Sequence, residues 1–330
     1  MKKILVDPNG KGDFTGLQAA LDGLDPRDDD GVEIELAPGI YREKVFVRPP
    51  NVAIRGAGPG ETVIRWNDAA RKNLPDGRPM GTFHSYTLLA LGDGFSASGL
   101  TIENDAGPGD EVGQAIAAYV EADRAVFDHC RLLGRQDTLF TGPLPPRAIQ
   151  PNGFFGPLEH ETRRQGRQIY RDCEIRGDVD FIFGSAAALF HRCHVVSLDR
   201  GPGGESWITA ASTPEGARFG YLFVDCDLAG PAAPGTVWLG RPWRDFAKTV
   251  FFSCRMGTHI KAEGWHDWNK PKARRSAFYA EHACSGPGAD AAGRAAWSRR
   301  LAREEADQWT EAAFLDFFRS DAPLIGYPPG

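Results

Sequence analysis

Five of the six cysteines in this 330-residue chain lie in the same short sequence pattern. Each copy has an apolar residue, an aromatic residue and two mostly polar residues before the cysteine, and a polar and an apolar residue after it. Successive copies are 20 to 43 residues apart, and Cys284 does not show the pattern. Because each copy is one short element at a variable interval, the pattern predicts an irregular solenoid. The five copies are centred on Cys130, Cys173, Cys193, Cys226 and Cys254.

The spacing of apolar residues inside each copy is that of a β-strand. Apolar and polar residues alternate, which puts the cysteine and the apolar residue that follows it on one face. A helix would need apolar residues at positions i, i+3, i+4 and i+7, and the copies lack them. We therefore predict an all-β fold, a parallel β-helix in which the cysteines stack as buried, free thiols. The unequal intervals predict loops of different length on one side, where a binding cleft would form.

Segments outside the cysteine copies fit the same fold. The apolar spacing over residues 14–24 predicts a short helix that caps the N-terminal end. Charged stretches at residues 303–307 and 311–318 predict helices that pack on the outside or close the other end. Because we find no linker or low-complexity stretch, we predict one domain over residues 1–330. Short strands between glycine and proline turns are predicted at residues 32–36, 44–47, 52–54 and 62–66.

Composition narrows the range of partners. A net charge of −6 and a pI near 5.8 argue against binding nucleic acid through its phosphates. No apolar run approaches the ~20 residues of a membrane helix, and the apolar stretch after Met1 is too short for a secretion signal. We therefore predict no nucleic acid or membrane partner, a monomer, and either an intracellular location or secretion with the leader removed. Because there is no CxxC pair or other ligand cluster, we predict no metal and no cofactor.

Two polar stretches follow the first two cysteine copies at the same distance. Asp137 lies seven residues past Cys130, and Asp180 lies seven residues past Cys173. Equal positions on successive turns of a solenoid stack, so we expect the two carboxyl groups on one face, about 4.8 Å apart. Two carboxylates this close cannot both ionise easily, so one pKa should rise while the other stays low. Such a pair can supply a nucleophile and a general acid for hydrolysis. The alternative is two aspartates in surface turns, which the apolar residues around Asp180 disfavour.

Five short motifs occur in order along the chain. They are Gly39-Ile-Tyr-Arg-Glu43, Gln114-Ala-Ile-Ala-Ala118, Gln136-Asp-Thr-Leu139, Asp180-Phe-Ile-Phe-Gly184 and Leu239-Gly-Arg-Pro-Trp243. Together they resemble the signature motifs of the pectin methylesterase (pectinesterase) family, and Gly264-Trp-His-Asp-Trp268 is similar to a further one. The resemblance implies a right-handed parallel β-helix that removes methyl groups from methyl-esterified polygalacturonate (pectin) or oligogalacturonides and releases methanol.

The resemblance also implies roles for individual residues. Asp180 would attack the ester carbonyl, and Asp137 would protonate the departing methoxide and then activate water. Gln114 and Gln136 would donate hydrogen bonds to the oxyanion, and Arg241 would pair with Asp180. Contacts with the substrate would come from Trp243, Phe183, Thr82, Val179 and Trp265.

The stretch between Thr138 and Asp180 holds a long insertion rich in proline and glycine, where plant members of the family are short. Some bacterial members carry a similar segment, so the resemblance implies a bacterial-type member. The expected position of the insertion beside the cleft leaves the preference between polymer and oligomer open. Three other functions also stay open: a pectate lyase or polygalacturonase of the same fold class, a relative that acts on acyl thioesters, and a carbohydrate-binding solenoid without activity. A lyase would need calcium-binding carboxylates, and a binding module has no need of two aspartates in phase.

Overall fold

The computed structural model describes residues 2–27 and 30–327, whose strands form three parallel β-sheets. From Val32 to Gly240, each turn contributes one strand to each sheet, and the next turn stacks on it in parallel. The chain is therefore a right-handed parallel β-helix, as the sequence predicted. The single domain over residues 1–330 stays a prediction, and residues 1, 28–29 and 328–330 lie outside the described part of the chain.

The strands are short and follow the chain in order within each sheet. The first sheet contains Lys2–Val6, Val32–Leu36, Val52–Arg55, Ser96–Ser98, Ala125–Asp128, Arg167–Arg171, Ala187–His191, Tyr221–Val224, Lys248–Phe252, Phe278–His282 and Arg299–Arg300. The second sheet contains Val45–Val47, Leu88–Ala90, Ala118–Val120, Leu139–Thr141, Ile182–Gly184, Ser206–Ala211 and Val237–Gly240. The third sheet contains Gly39–Tyr41, Thr62–Trp66, Thr101–Asn104, Arg131–Leu133, Glu174–Gly177, His194–Ser197, Asp227–Ala229 and Arg255–Met256. The four strands predicted from the sequence are all present.

One antiparallel pair and several short helices complete the described secondary structure. Arg163–Arg164 pairs with Gly326–Tyr327 in antiparallel register. The α-helices are Leu17–Asp22, Gly109–Val112, Ala273–Ser276, Arg303–Ala306 and Glu311–Arg319, and the 3-10 helices are Thr82–His84, Pro287–Ala289, Ala291–Gly293 and Asp307–Trp309.

Five cysteines lie in the bend between a first-sheet strand and the third-sheet strand that follows it, and Cys284 lies in the equivalent bend after Phe278–His282. The residue before each cysteine has a left-handed backbone, which turns the chain at this point. The sequence predicted the cysteines within strands, but the bend ends each first-sheet strand before the cysteine. The residues in this conformation, with φ between 50° and 53°, are His129, Asp172, Arg192, Asp225, Ser253 and Ala283.

Six cysteines, rather than five, form this ladder. The thiol of Cys284 donates to the carbonyl of Phe251 at 3.4 Å, as the thiol of Cys254 donates to the carbonyl of Phe223 at 3.6 Å. All six thiols are free, and five of them are buried. The sequence pattern missed Cys284 because Glu281 stands where the other copies have an aromatic residue.

A stack of aromatic rings runs beside the cysteine ladder in the core. The rings of Phe127, Tyr170, Phe190 and Phe223 lie 4.4 to 5.1 Å apart between centroids, with planes 10° to 15° from parallel. Each ring stands three residues before a cysteine, so the same sequence repeat produces both stacks. An aromatic pair adds about 0.5–1.5 kcal/mol beyond the area that it buries. This core fixes the register of successive turns and with it the positions of polar residues on the outside.

Helices cover one end and one side of the β-helix. Leu17–Asp22, inside the predicted range 14–24, buries its apolar side at the N-terminal end. Glu311–Arg319 packs Phe314 on the outer face of the first sheet, where its ring centroid lies 5.1 Å from that of Phe219. The C-terminal helices therefore pack on the outside, one of the two predicted positions. Within the described residues, no helix has the length and apolar character needed to cross a membrane.

Candidate active site

A cleft of about 470 Å³ lies on the outer face of the second sheet. Turns that precede or follow second-sheet strands supply its polar floor, and loops supply its walls. The polar lining includes Gln114, Gln136, Asp137, Asp180 and Arg241, and the apolar lining includes Phe83, Phe154, Phe183, Trp243 and Trp268. The structure thus brings together the five polar residues that the sequence singled out.

Asp137 and Asp180 occupy equivalent positions on neighbouring turns. Leu139 lies opposite Ile182 in the parallel register, two residues after each aspartate. The backbone N–H of Asp137 also donates to the carbonyl of Val179 at 3.0 Å. The two aspartates therefore face each other across the spacing of adjacent strands, ~4.8 Å.

The backbone of both aspartates is left-handed, with φ of 65° at Asp137 and 50° at Asp180. This conformation is unfavourable for most residues with a side chain, and aspartate is among those that tolerate it best. It lets the carboxyl group face the cleft, while the next residue, Thr138 or Phe181, is buried without exposure. Each carboxyl is nevertheless mostly shielded, because both aspartates are only 7% exposed.

Arg241 binds only one of the two carboxyl groups. Its Nε lies 2.7 Å from Oδ1 of Asp180, and its Nη2 lies 2.6 Å from Oδ2. The guanidinium is held between the rings of Trp207 and Trp268, each 3.9 Å away between Cζ and ring centroid. A planar fork held in this way fixes both the orientation and the charge of its partner.

Burial raises the pKa of both aspartates, but to different degrees. The pKa of Asp137 is raised well above its usual range by burial and by the charge of Asp180, with only partial opposition from Arg241. The pKa of Asp180 is also raised, because burial outweighs the guanidinium of Arg241. The sequence analysis predicted that one of the two pKa values stays low, and this prediction is wrong, because burial removes water from both carboxyl groups. Arg241 still keeps Asp180 the more acidic of the two, so Asp180 ionises first.

Gln114 and Gln136 lie on adjacent turns at the edge of the cleft. The backbone N–H of Ala115 donates to the carbonyl of Gln136 at 3.1 Å, which ties the two turns together. Gly109 packs directly on the side chain of Gln136, since a methyl group there would lie 2.3 Å from Oε1. Both side chains end in neutral amides, which can donate hydrogen bonds to an oxyanion beside the aspartates.

Of the five residues predicted to contact substrate, the cleft includes three. Thr82, Phe183 and Trp243 line it. Trp265 does not; it is 2% exposed and stacks on Tyr279 in the core, with ring centroids 4.3 Å apart. Its predicted contact with substrate is therefore wrong, and its ring instead supports the backbone at Gly240, next to Arg241. Val179 is 8% exposed and lies outside the described lining, where its carbonyl positions Asp137.

Several residues of the site were missed by sequence reasoning. Trp207 carries no motif signal, and only the fold reveals that its ring holds Arg241. Trp268 ends the motif Gly264-Trp-His-Asp-Trp268, so this motif could have indicated it. Phe154 and Arg244 also line the cleft, and Phe154 comes from the insertion that departs from the family pattern.

One group of potential metal ligands occurs in the described part of the chain, away from the cleft. Asp128, His129 and Asp172 lie close enough to share an ion. Their carboxylates are already paired, since Asp128 binds Arg171 at 2.9 Å and Asp172 binds Arg192 at 2.7 Å. Because arginines already neutralise both carboxylates, we assign no metal site here.

Comparison with known proteins finds pectinesterases by family, by sequence and by structure. The family model described as Pectinesterase matches residues 3–144 and 160–317. Pectinesterase 31 of Arabidopsis thaliana is 35% identical over 322 residues, which cover 96% of this chain and 92% of that protein. The pectin methylesterase from carrot is 27% identical with a TM-score of 0.79, over 98% of each chain. A pectin methylesterase in complex with a hexasaccharide is 25% identical with a TM-score of 0.79, over 98% of this chain and 99% of that chain.

Proposed function

The chain belongs to the pectinesterase family, and we propose that it hydrolyses methyl esters of polygalacturonate or its oligomers through Asp180 and Asp137. The polysaccharide chain would lie in the cleft of about 470 Å³, with the ester carbonyl above the two carboxyl groups. A solved relative is a pectin methylesterase in complex with a hexasaccharide, which supports a carbohydrate as the substrate. The five polar residues of the cleft, Gln114, Gln136, Asp137, Asp180 and Arg241, then have distinct roles.

In the first step, ionised Asp180 attacks the carbonyl carbon of the ester. A new C–O bond forms, and the oxyanion accepts hydrogen bonds from the amides of Gln114 and Gln136. One such donor contributes about 2.7–4 kcal/mol to transition-state stabilisation. As the oxyanion collapses, the bond to the methoxy group breaks, and the carboxyl proton of Asp137 moves to the leaving oxygen. The products are methanol and an anhydride between Asp180 and the substrate.

In the second step, the ionised carboxylate of Asp137 accepts a proton from water. The water oxygen attacks the substrate carbonyl of the anhydride, and the bond to Asp180 breaks. Asp180 leaves as a carboxylate, which its pair with Arg241 stabilises, and Asp137 is again protonated. The sequence of steps consumes one water and needs neither a metal nor an organic cofactor.

The observation that carries this proposal is the unequal treatment of two stacked carboxyl groups. Asp180 has a bidentate arginine, whereas within the described residues Asp137 has no ion pair at all. The pKa of Asp137 is raised well above its usual range by burial and by Asp180. This difference supports Asp180 as the nucleophile and Asp137 as the proton donor.

The direct test is methanol release from methylated polygalacturonate by the wild type and by Asp180→Ala. We expect the variant to lose on the order of 10⁴-fold in kcat or more, because it lacks the nucleophile. Asp225→Ala is the matched control, since Asp225 has the same left-handed backbone (φ 53°) in a bend far from the cleft. A folded Asp180→Ala variant with near-normal turnover would overturn the mechanism.

Family membership favours ester hydrolysis over the lyase, polygalacturonase, thioester and binding alternatives, because the matched proteins are esterases. The monomeric state stays a prediction. So does the location, either intracellular or secreted with the leader removed.

A further inference from the structure

We infer that residues 145–159, the wall segment, select substrate by contacting the sugar next to the reacting one and favour short galacturonide chains over the polymer. The inference rests on the proposed function and adds to it the length of the preferred substrate. The wall segment falls between the two ranges that match the pectinesterase family, 3–144 and 160–317. Its contribution to the cleft therefore comes from outside the residues that match the family model.

The wall segment is tied at its base by one buried arginine. Arg163 is 3% exposed, and its guanidinium donates to the carbonyls of Pro145 at 2.6 Å, Pro146 at 3.1 Å and Glu159 at 2.8 Å. These three carbonyls belong to the two ends of the segment. A buried guanidinium that bridges both ends closes the loop and restricts its motion.

A second tie comes from the last described residues, which also lie beyond the matched range. Gly326–Tyr327 pairs in antiparallel register with Arg163–Arg164, directly after the wall segment. The hydroxyl of Tyr327 donates to the carbonyl of Leu144 at 3.2 Å, directly before the segment. The last described residues therefore hold the two stretches of chain that flank the wall segment.

The middle of the wall segment reaches both sides of the cleft. The ring of Phe154 lies edge-on to Phe83, with centroids 5.9 Å apart, and edge-on to Trp243, with centroids 6.2 Å apart. The guanidinium of Arg244 donates to the carbonyl of Arg147 at 2.8 Å. Phe83 comes before the two aspartates along the chain and Trp243 comes after them, so the two rings lie on opposite sides of the aspartate pair along the β-helix. The segment thus forms a continuous wall beside the carboxyl pair.

The side chains that this wall turns toward the cleft suit a sugar. Ile149 is 69% exposed, and together with Gln150 and Asn152 it lines the same cleft as Asp137 and Asp180. An exposed aliphatic side chain can cover the apolar face of a pyranose ring, and amides can bind its hydroxyl groups. Ile149, with the amides of Gln150 and Asn152 beside it, is therefore suited to contact the sugar next to the one that carries the ester.

The tethered wall also explains a preference for length. The cleft of about 470 Å³ is in the range of pockets for small ligands, ~300–1,000 Å³. The end of a short fragment can lie inside it, so such a fragment gains the contacts with Ile149 and Gln150. A polymer must continue past a wall that cannot swing aside without breaking the Arg163 and Tyr327 contacts.

The test compares kcat/KM for methanol release from methylated hexagalacturonate with that from methylated polygalacturonate. For the double variant Ile149→Ser, Gln150→Ala we expect the hexamer value to fall about tenfold, with the polymer value within about twofold of wild type. The matched control is Ile40→Ser, Gln308→Ala, which removes an exposed isoleucine and glutamine far from the cleft and should leave both values unchanged.

A variant shortened after Leu324 removes the second tie and should move the ratio of hexamer to polymer in the same direction. A ratio within twofold of wild type in both active variants overturns the inference and leaves the proposed function intact. A wild-type protein that releases no methanol from either substrate overturns the proposed function, and the inference with it.

Discussion

The cysteine ladder and the aspartate pair are produced by the same register of the β-helix, but with opposite energetic consequences. Arg131 lies opposite Glu174, and Leu139 lies opposite Ile182. Each cysteine therefore stacks on a cysteine of the next turn, and Asp137 stacks on Asp180. Stacked thiols are neutral and small, and they donate weak hydrogen bonds to backbone carbonyls of neighbouring turns. Stacked carboxylates repel each other and lose hydration.

The difference shows which side chains can repeat on every turn of a solenoid and which cannot. The ladder continues over six turns because every addition packs like the last one. The stack of carboxyl groups contains only Asp137 and Asp180 in the described cleft. Its charge is compensated by Arg241, which lies two turns further on and is held between the rings of Trp207 and Trp268. Repetition builds the core, and departures from repetition build the cleft.

Among the variants that test this comparison, the largest effect is expected for Asp137, the aspartate that Arg241 does not bind. Asp137→Asn retains a hydrogen-bond donor but cannot exchange a proton, so we expect kcat to fall about 10²–10⁴-fold with KM little changed. The upper limb of the pH profile of kcat/KM should also disappear, because it reports the raised pKa of Asp137. A variant that keeps the wild-type pH profile would contradict the role of Asp137 as the acid.

The same variant should become more stable than wild type as the pH rises. The folded pKa of Asp137 is raised, so above the ordinary value of about 3.9 the folded state holds a proton that the unfolded state has lost. Wild-type stability from this group therefore falls as the pH rises toward the folded pKa, and asparagine does not titrate. Urea unfolding at pH 4 and pH 7 checks this, with a larger stability gain expected at pH 7.

The reverse exchange places a carboxylate in the ladder. Cys193→Asp puts an uncompensated charge between Cys173 and Cys226, where no arginine takes part. We expect a loss of about 3–5 kcal/mol in the free energy of unfolding, as for a buried charge without its partner. Cys193→Ala is the size control, and urea unfolding of both variants is the measurement. Equal losses for the two variants would show that the ladder tolerates charge as the cleft does.

A smaller effect is expected when the two-pronged hydrogen bonding of Arg241 to Asp180 is lost. Arg241→Lys keeps the positive charge but loses the fork and the stacking on two tryptophan rings. We expect kcat/KM to fall roughly tenfold to 100-fold, as for loss of a charge-assisted hydrogen bond. Methanol release at saturating and limiting substrate measures this, and Arg255→Lys, in an exposed pair with Asp227, is the control. A wild-type rate would show that charge alone suffices.

Most of the fold could be predicted from the sequence, because each turn repeats a local pattern. The seven-residue offset from Cys130 to Asp137, repeated from Cys173 to Asp180, was sufficient to place both carboxyl groups in one register. Resemblance to a family then assigned Gln114, Gln136 and Arg241, which no local pattern connects to the aspartates. Trp207 and the misassigned Trp265 show the limit, because burial is set by loops whose course no periodicity encodes.

The prediction of one low pKa in the aspartate pair was wrong for a related reason. A sequence shows that an arginine is available, but not how much water the loops remove from the pair. Burial is the largest cause of the pKa shift of Asp180, and it outweighs the effect of Arg241. Likewise, Cys284 was missed because Glu281 replaces the aromatic ring by which the other copies were recognised.

The smallest expected effect distinguishes the middle of the ladder from its end. Cys226 is 2% exposed, with a cysteine on each side, whereas Cys284 is partly exposed and ends the stack. Cys226→Ala should lower the free energy of unfolding by about 1 kcal/mol, the scale of one lost buried contact, and Cys284→Ala by less. Cys284 is also the only one of the six thiols that is not fully buried, and access to a reagent favours its reaction. In the native protein, a thiol reagent should therefore modify Cys284 first and the other five only after unfolding. Equal reaction rates for all six native thiols would show that the ladder is not packed as described.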